Sequence, residues 1–314
     1  MPNGLPQITN KKHEQYGQVT TYLLQITNKK HEQYGQVATY LLQITNKKHE
    51  QYGQVATCPF QIKNMTISPN KKIYFASDQH FGAPTPEASF PREQKFVAWL
   101  DEVKKDAECI FLLGDLFDFW FEYKTVVPRG FVRVLGKLAE IRDSGIPIYF
   151  FVGNHDLWMD DYFEKELNIP VYHNNQEYEF NGKTFLIGHG DGKGPGDKGY
   201  KRMKKVFTSS FSKWIYRWLH PDIGVKLAQY LSVKNKLISG DADVKFLGEE
   251  NEWLVLYAKR KLETKHYNYL IFGHRHLPMV LKVGENAQYI NLGDWISYFT
   301  YGVFDGEKFE LKDY

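Results

Sequence analysis

Ile73-Tyr74-Phe75-Ala76-Ser77-Asp78-Gln79-His80 begins as an apolar run and stops at a carboxylate and an imidazole two residues apart. A short apolar run of this kind reads as a buried strand, and the spacing of Phe96, Val97, Leu100 and Val103 predicts a helix over Arg92 to Lys105. The pattern recurs. Ile110 to Leu113 is a strand ending at Gly114-Asp115, Val132 to Arg142 has helical spacing, and Ile146 to Val152 is a strand ending at Gly153-Asn154. Such alternation predicts an α/β layered core, in which ligands gather beyond the carboxyl ends of the strands. Thr184 to Ile187, Tyr269 to Phe272, Met279 to Val283 and Gln288 to Leu292 read as further strands, the last ones joined by short Gly and Asn turns.

Five polar clusters each follow an apolar strand: Asp78-Gln79-His80, Gly114-Asp115-Leu116-Phe117-Asp118, Gly153-Asn154-His155-Asp156, Gly188-His189-Gly190-Asp191 and Gly273-His274-Arg275-His276. One histidine at a strand end is ordinarily a hydrogen-bonded structural residue. Taken together the clusters say more. Asp78 with His80, and His274 with His276, are each spaced by two, which puts both side chains on one side of an extended segment and lets them converge on an ion. Carboxylate, imidazole and amide donors without thiolate suit Mn, Fe or Zn in an open catalytic site, not a structural zinc.

This ordered series resembles the signature of the calcineurin-like metallophosphoesterase superfamily, from Ile73 to about Trp295. The resemblance implies a four-layer sandwich of two mixed β-sheets flanked by helices, and a cofactor of two divalent metal ions, Mn2+ foremost. By that likeness Asp78, His80 and His276 hold one ion, Asn154, His189 and His274 hold the other, and Asp115 bridges them. Two cations roughly 3.5 to 4 Å apart acidify a shared water, aim it at phosphorus and neutralise the phosphoryl oxygens. Asp118 would orient His155, whose imidazole would steady a phosphoryl oxygen or the leaving group. A helix N-cap is the bland alternative for Asp118.

An insertion separates the fourth and fifth clusters, and a helical lid is expected over about 197–257. Phe207, Phe211, Trp214, Ile215, Trp218 and Leu219 fall at helical spacing, interleaved with Lys201, Arg202, Lys204, Lys205, Lys213 and Arg217. This predicts an amphipathic basic helix, either a cap with a solvated basic face or a lid that offers apolar surface to acyl chains and lysines to anionic head groups. Within the superfamily, Gly114 to Trp120, His189-Gly190-Asp191 with Asp197 and Tyr200, the insertion, and Leu292-Gly293-Asp294-Trp295 resemble the UDP-2,3-diacylglucosamine pyrophosphatases of lipid A synthesis. That likeness implies a lipid-linked nucleotide-sugar substrate contacted by Asp197, Tyr200, Lys234 and Lys236. Many enzymes of that activity carry Arg where this chain has His155, so the third cluster fits the general superfamily better. A nuclease or cyclic-nucleotide phosphodiesterase, with lysines tracking phosphates, and a non-catalytic scaffold remain open at this point.

Gln-Ile-Thr-Asn-Lys-Lys-His-Glu-Gln-Tyr-Gly-Gln-Val begins at Gln7, Gln25 and Gln43, and Gln61-Ile62-Lys63-Asn64 starts a decayed fourth copy. The copies lack the varied caps and regular apolar pattern of a solenoid, so residues 1–64 are expected to be a poorly structured extension, with 65–314 as the enzyme domain. Of the 314 residues, 42% are hydrophobic and 25% charged, which excludes disorder throughout, and a net charge of +3 does not by itself argue for nucleic acid. Cys58 and Cys109 are the only cysteines, and no signal peptide or spanning segment is evident. The expected location is cytoplasmic, with peripheral contact at the inner face of the inner membrane through the basic aromatic helix. No protein partner is implied.

Overall fold

A computed structural model describes residues 64–194, 198–227 and 246–314. The repeats through residue 63 lie outside these, as do Asp197, Lys234 and Lys236; for Tyr200 only the backbone is described.

Strand β1 (Lys72–Ala76) leads through a loop to helix α1 (Pro86–Val103), then to β2 (Ala107–Leu112), α2 (Val132–Asp143) and β3 (Ile148–Phe151). The short helix α3 (Tyr162–Glu166) and strand β4 (Val171–Tyr172) follow. These strands join β10 (Thr300–Phe304) and β11 (Phe309–Asp313) in a six-stranded sheet of order β11-β10-β1-β2-β3-β4. Its neighbours β1, β2, β3 and β4 are parallel, while β10 runs antiparallel to β1. The second sheet has the order β5-β6-β7-β9-β8, with β5 (Gln176–Phe180), β6 (Lys183–Ile187), β7 (Tyr269–Phe272), β8 (Pro278–Lys282) and β9 (Gln288–Leu292). It too is mixed.

Strand alternation explains the layers. Ile73 and Phe75 of β1, with Cys109 and Phe111 of β2, face a cluster shared with Phe180, Phe185, Ile271 and Ile290 of the second sheet. Tyr74, Ala76, Ile110 and Leu112 point the other way, onto Phe96 and Leu100 of α1 and Leu138 of α2. The outer face of the second sheet is covered by helix α6 (Trp253–Leu262) through Leu254, Val255 and Ala258 against Leu270 and Phe272. The result is helix, sheet, sheet, helix, with the polar clusters gathered where the parallel strands end.

The insertion departs from one expected helix. The segment is divided into α4 (Lys198–Phe207) and α5 (Ser210–Arg217) because the Ser209 side chain accepts from the Ser212 N–H and starts a new helix. Tyr216 and Arg217 turn inward: the Tyr216 ring packs 4.5 Å from those of Phe121 and Trp158, and Arg217 Nη2 donates to Asp160 at 2.9 Å. Phe211, Trp214 and Trp218 point outward, at 68%, 55% and 77% exposure. Toward the expected end of the lid, Trp253 to Tyr257 belong to α6, which packs on the core. No helix of the described residues is long and apolar enough to cross a membrane.

Candidate metal centre

Asp78, His80, Asp115, His274 and His276 all adopt positive φ, between 47° and 71°, at strand ends. Asp and His are among the non-glycine residues that tolerate this region best. In these tight bends, residues remote in sequence converge.

Two clusters with no shared residue result, linked by a third group. Ligand atoms of Asp78, His80 and His276 lie within 4.8 Å of one another, as do those of Asp115, His189 and His274, and those of His80, Asp115 and His155. Asp115 Oδ2 stands 3.6 Å from His80 Nε2 and 3.5 Å from His189 Nε2, between the two clusters. Asn154 Oδ1 is 3.1 Å from His189 Nε2. The loops of β1, β2 and β3 supply Asp78, His80, Asp115 and Asn154, and those of β6 and β7 supply His189, His274 and His276, so donors come from both sheets.

Glycine makes the approach possible. A Cβ on Gly153 would fall 2.6 Å from the Asp115 backbone nitrogen and inside contact of its Oδ1, so only glycine lets the second and third loops touch. Asp156 then joins them, its Oδ1 accepting from the Gly153 N–H at 2.6 Å and its Oδ2 from the Leu116 N–H at 3.0 Å. Burial, and then the neighbouring Asp115 charge, push its carboxyl up to about 7.

The donors are aimed by other groups. The Leu113 carbonyl sits 2.7 Å from His189 Nδ1, where it accepts that N–H and leaves Nε2 facing Asp115 and Asn154. Asp294 Oδ2 does the same for His276 at Nδ1, 3.3 Å away, while its Oδ1 accepts from the N–H groups of Ile296, Ser297 and Tyr298. Arg92 fixes the first loop by donating to the carbonyls of His80 and Ala83 at 2.7 and 2.6 Å. Asp118 borders both His155 and His80: its carbonyl lies 3.0 Å from His155 Nδ1, and its Oδ1 is 3.5 Å from that atom and 3.4 Å from His80 Nδ1. It caps no helix among the described residues.

The donor set fits divalent cations. Asp78 Oδ2 accepts from the His274 N–H at 2.9 Å and from Ser77 Oγ, but its Oδ1 is buried with no hydrogen-bond donor and faces the Nε2 atoms of His80 and His276. A buried carboxylate oxygen without a donor is costly unless a cation meets it. The electrostatics agree. Burial opposes a charge on His189, yet Asp115, Asp78 and Asp191 raise it to about 10, and groups that hold a proton so firmly favour a cation in its place. Burial also works against ionised Asp78, but the facing His80 and His276 hold it well below the usual carboxylate range.

Asp294, Asp156 and Arg92 were not singled out as site residues from the sequence, since the contacts that tie them to the site, such as Asp156 to the Leu116 N–H and Asp294 to His276, form only in the folded chain. Asp294 had a signal, the Gly293-Asp294 pair after β9, which repeats the glycine-carboxylate form of Gly114-Asp115.

Comparison with known proteins gives the family. The calcineurin-like phosphoesterase family profile matches residues 71–278, and the chain belongs to that family of metal-dependent phosphoester hydrolases. It is 39% identical over 256 residues to the UDP-2,3-diacylglucosamine hydrolase of Porphyromonas gingivalis, covering 77% of this chain and 97% of that one. It is 25% identical over 224 residues to the UDP-2,3-diacylglucosamine hydrolase of Shewanella piezotolerans, covering 71% of this chain and 90% of its relative. Among solved structures, a dimetal phosphatase from Danio rerio aligns with TM-score 0.37 and 12% identity, over 78% of this chain and 96% of that one.

Proposed function

We propose that the protein hydrolyses UDP-2,3-diacylglucosamine to UMP and 2,3-diacylglucosamine 1-phosphate, a step of lipid A biosynthesis, with two Mn2+ ions as cofactor. The observation that carries the reading is Asp115 Oδ2 lying between the imidazoles of His80 and His189, at 3.6 and 3.5 Å, each backed by its own cluster. The names of the two bacterial relatives support the substrate.

Asp78, His80 and His276 would hold one ion and Asn154, His189 and His274 the other, with Asp115 shared. When bound, the ions would supply Lewis-acid activation of a water and neutralise phosphoryl charge. The protein's own groups do the rest. His155, its ring 4.7 Å from that of His80, would meet a phosphoryl oxygen, and Asp118, whose carbonyl lies 3.0 Å from Nδ1, would orient the ring so that Nε2 is left for substrate. Water adds to the α-phosphorus, the diphosphate P–O bond breaks, and the departing sugar phosphate needs charge neutralisation more than a strong acid. Asp197, Tyr200, Lys234 and Lys236 would contact the glucosamine and its phosphate.

The outward Phe211, Trp214 and Trp218, with Lys205 and Arg202 exposed nearby, support peripheral contact with an anionic leaflet, for a protein working at the cytoplasmic face of the inner membrane. The deciding experiment is UMP release from UDP-2,3-diacylglucosamine with Mn2+ added, comparing wild type with Asp115→Ala. Release abolished by the substitution supports the proposal. No UMP, with cleavage of bis(p-nitrophenyl) phosphate retained, would overturn the substrate and leave the phosphoesterase.

A further inference from the structure

Arg275 stands between His274 and His276 and points away from them, into the protein. Its guanidinium is 2% exposed and meets the fully buried Glu252 with two bonds, Nε to Oε2 at 3.0 Å and Nη2 to Oε1 at 2.9 Å. Glu252 Oε1 also accepts from the Leu247 N–H at 3.0 Å, and Glu252 is the residue from which α6 starts. The next residue, Trp253, holds the His274 ring edge-on at 5.5 Å. One buried ion pair therefore joins the limb where the insertion returns to the core, the start of α6 and the loop carrying two site imidazoles.

An ion pair is an unusual way to fill such a position. Taking two charges out of water is expensive, and apolar residues of similar volume often hold a fold as well or better. What apolar residues cannot supply is direction. A guanidinium fork bonded twice to one carboxylate fixes both the distance and the plane of the segment that carries it. His274 and His276 flank Arg275 on a tight left-handed loop, with φ of 71° and 50°, so a fixed Arg275 backbone fixes the aim of both histidines. Any rotation that turned the imidazoles from Asp78 and Asp115 would break two charge-assisted bonds in a low-dielectric interior.

We propose that Glu252 and Arg275 are positioning residues for the metal centre: the pair sets His274 and His276 at once, one from each cluster, and makes their geometry depend on the seating of the returning limb. The inference rests on the reading that these histidines hold metal, and the experiment separates the two. Mn2+ is titrated into full-length wild type, Arg275→Lys and the apolar pair Glu252→Leu/Arg275→Met, with free Mn2+ followed by electron paramagnetic resonance and unfolding temperature measured in parallel. Wild type taking up no Mn2+ would sink the metal reading itself. With wild type loading two ions, the apolar pair is expected to unfold at or above the wild-type temperature yet bind Mn2+ 10- to 100-fold more weakly. Arg275→Lys, keeping the charge but losing the fork, is expected to weaken binding about 10-fold. An apolar pair with wild-type Mn2+ affinity would reduce the ion pair to packing and overturn the proposal. If that double variant does not fold, Arg275→Lys decides, since unchanged affinity there refutes a role for the fork.

Discussion

Asp118 Oδ1 lies 3.4 Å from His80 Nδ1, and the same oxygen lies 3.5 Å from His155 Nδ1. One carboxylate thus borders a proposed metal ligand and the imidazole proposed to steady a phosphoryl oxygen. Asp118→Asn should weaken Mn2+ binding and lower kcat, each by about 10- to 100-fold. His155→Ala should lower kcat by about 100- to 1000-fold with both ions still bound. Equal Mn2+ affinity in wild type and Asp118→Asn would mean that its contact with His80 is incidental.

Asp294 holds His276 with one oxygen and three backbone N–H groups with the other. Asp294→Ala removes the acceptor of three partly exposed backbone N–H groups, a loss of about 1 kcal/mol, and frees the imidazole to turn. Denaturant unfolding and Mn2+ titration check the two effects separately, and both are expected.

Gly153→Ala adds one methyl where Asp115 already sits. Because the Asp115 backbone nitrogen as well as its carboxylate occupies the space, turning the side chain aside is not enough and the second and third loops must part. The expected result is a folded protein with little Mn2+ uptake, destabilised by about 2 kcal/mol or more. Full Mn2+ loading in this variant would contradict the account of the loop contact.

Donors from both sheets meet at one edge of the sandwich, so metal should fasten the sheets to each other. Chelation with EDTA is expected to lower the unfolding temperature, and Mn2+ at 100 times its dissociation constant should restore about 2.7 kcal/mol per site. Identical melting curves with and without chelator would argue against ligands spanning the sheets.

Cys109 is buried between the sheets, and burial raises its thiol well above the ordinary value. In a chain beginning at Met65, which lacks Cys58, thiol reagents at pH 8 should label nothing until denaturant is added. Rapid labelling of the native protein would show that the sheets part on that timescale.

The strands that end in polar clusters were legible because their residues are apolar in runs and the clusters are short and local. Thr184 to Ile187, Tyr269 to Phe272 and Gln288 to Leu292 emerged within a residue of their expected bounds. The edge strand β11 and its neighbour β10 did not, since Thr300, Tyr301 and Gly302 mix polar and apolar residues and Phe309-Glu310-Leu311-Lys312 is a single brief alternation. The insertion read as one helix because apolar spacing continues through Thr208-Ser209, where a hydroxyl cap ends the periodicity without interrupting it. The facing of that helix was also hidden. Tyr216 is the residue that packs, against Phe121 and Trp158, and only tertiary structure brings those rings together. Glu252 with Arg275, 23 residues apart, and Asp118 with His80, 38 apart, are invisible to any local pattern.

The five left-handed residues at the strand ends join two demands that are ordinarily separate. Small polar side chains and imidazoles are what such a bend accepts short of glycine, and they are also what a hard or borderline cation accepts. A chain curled this way therefore narrows the alphabet to oxygen and nitrogen donors before any ion arrives. Drift is penalised in both directions: glycine would suit the curl and discard the donor, while a longer acid would keep a donor and resist the curl. Turn and coordination are one inherited choice, which leaves few small steps by which the pocket could be traded for another chemistry.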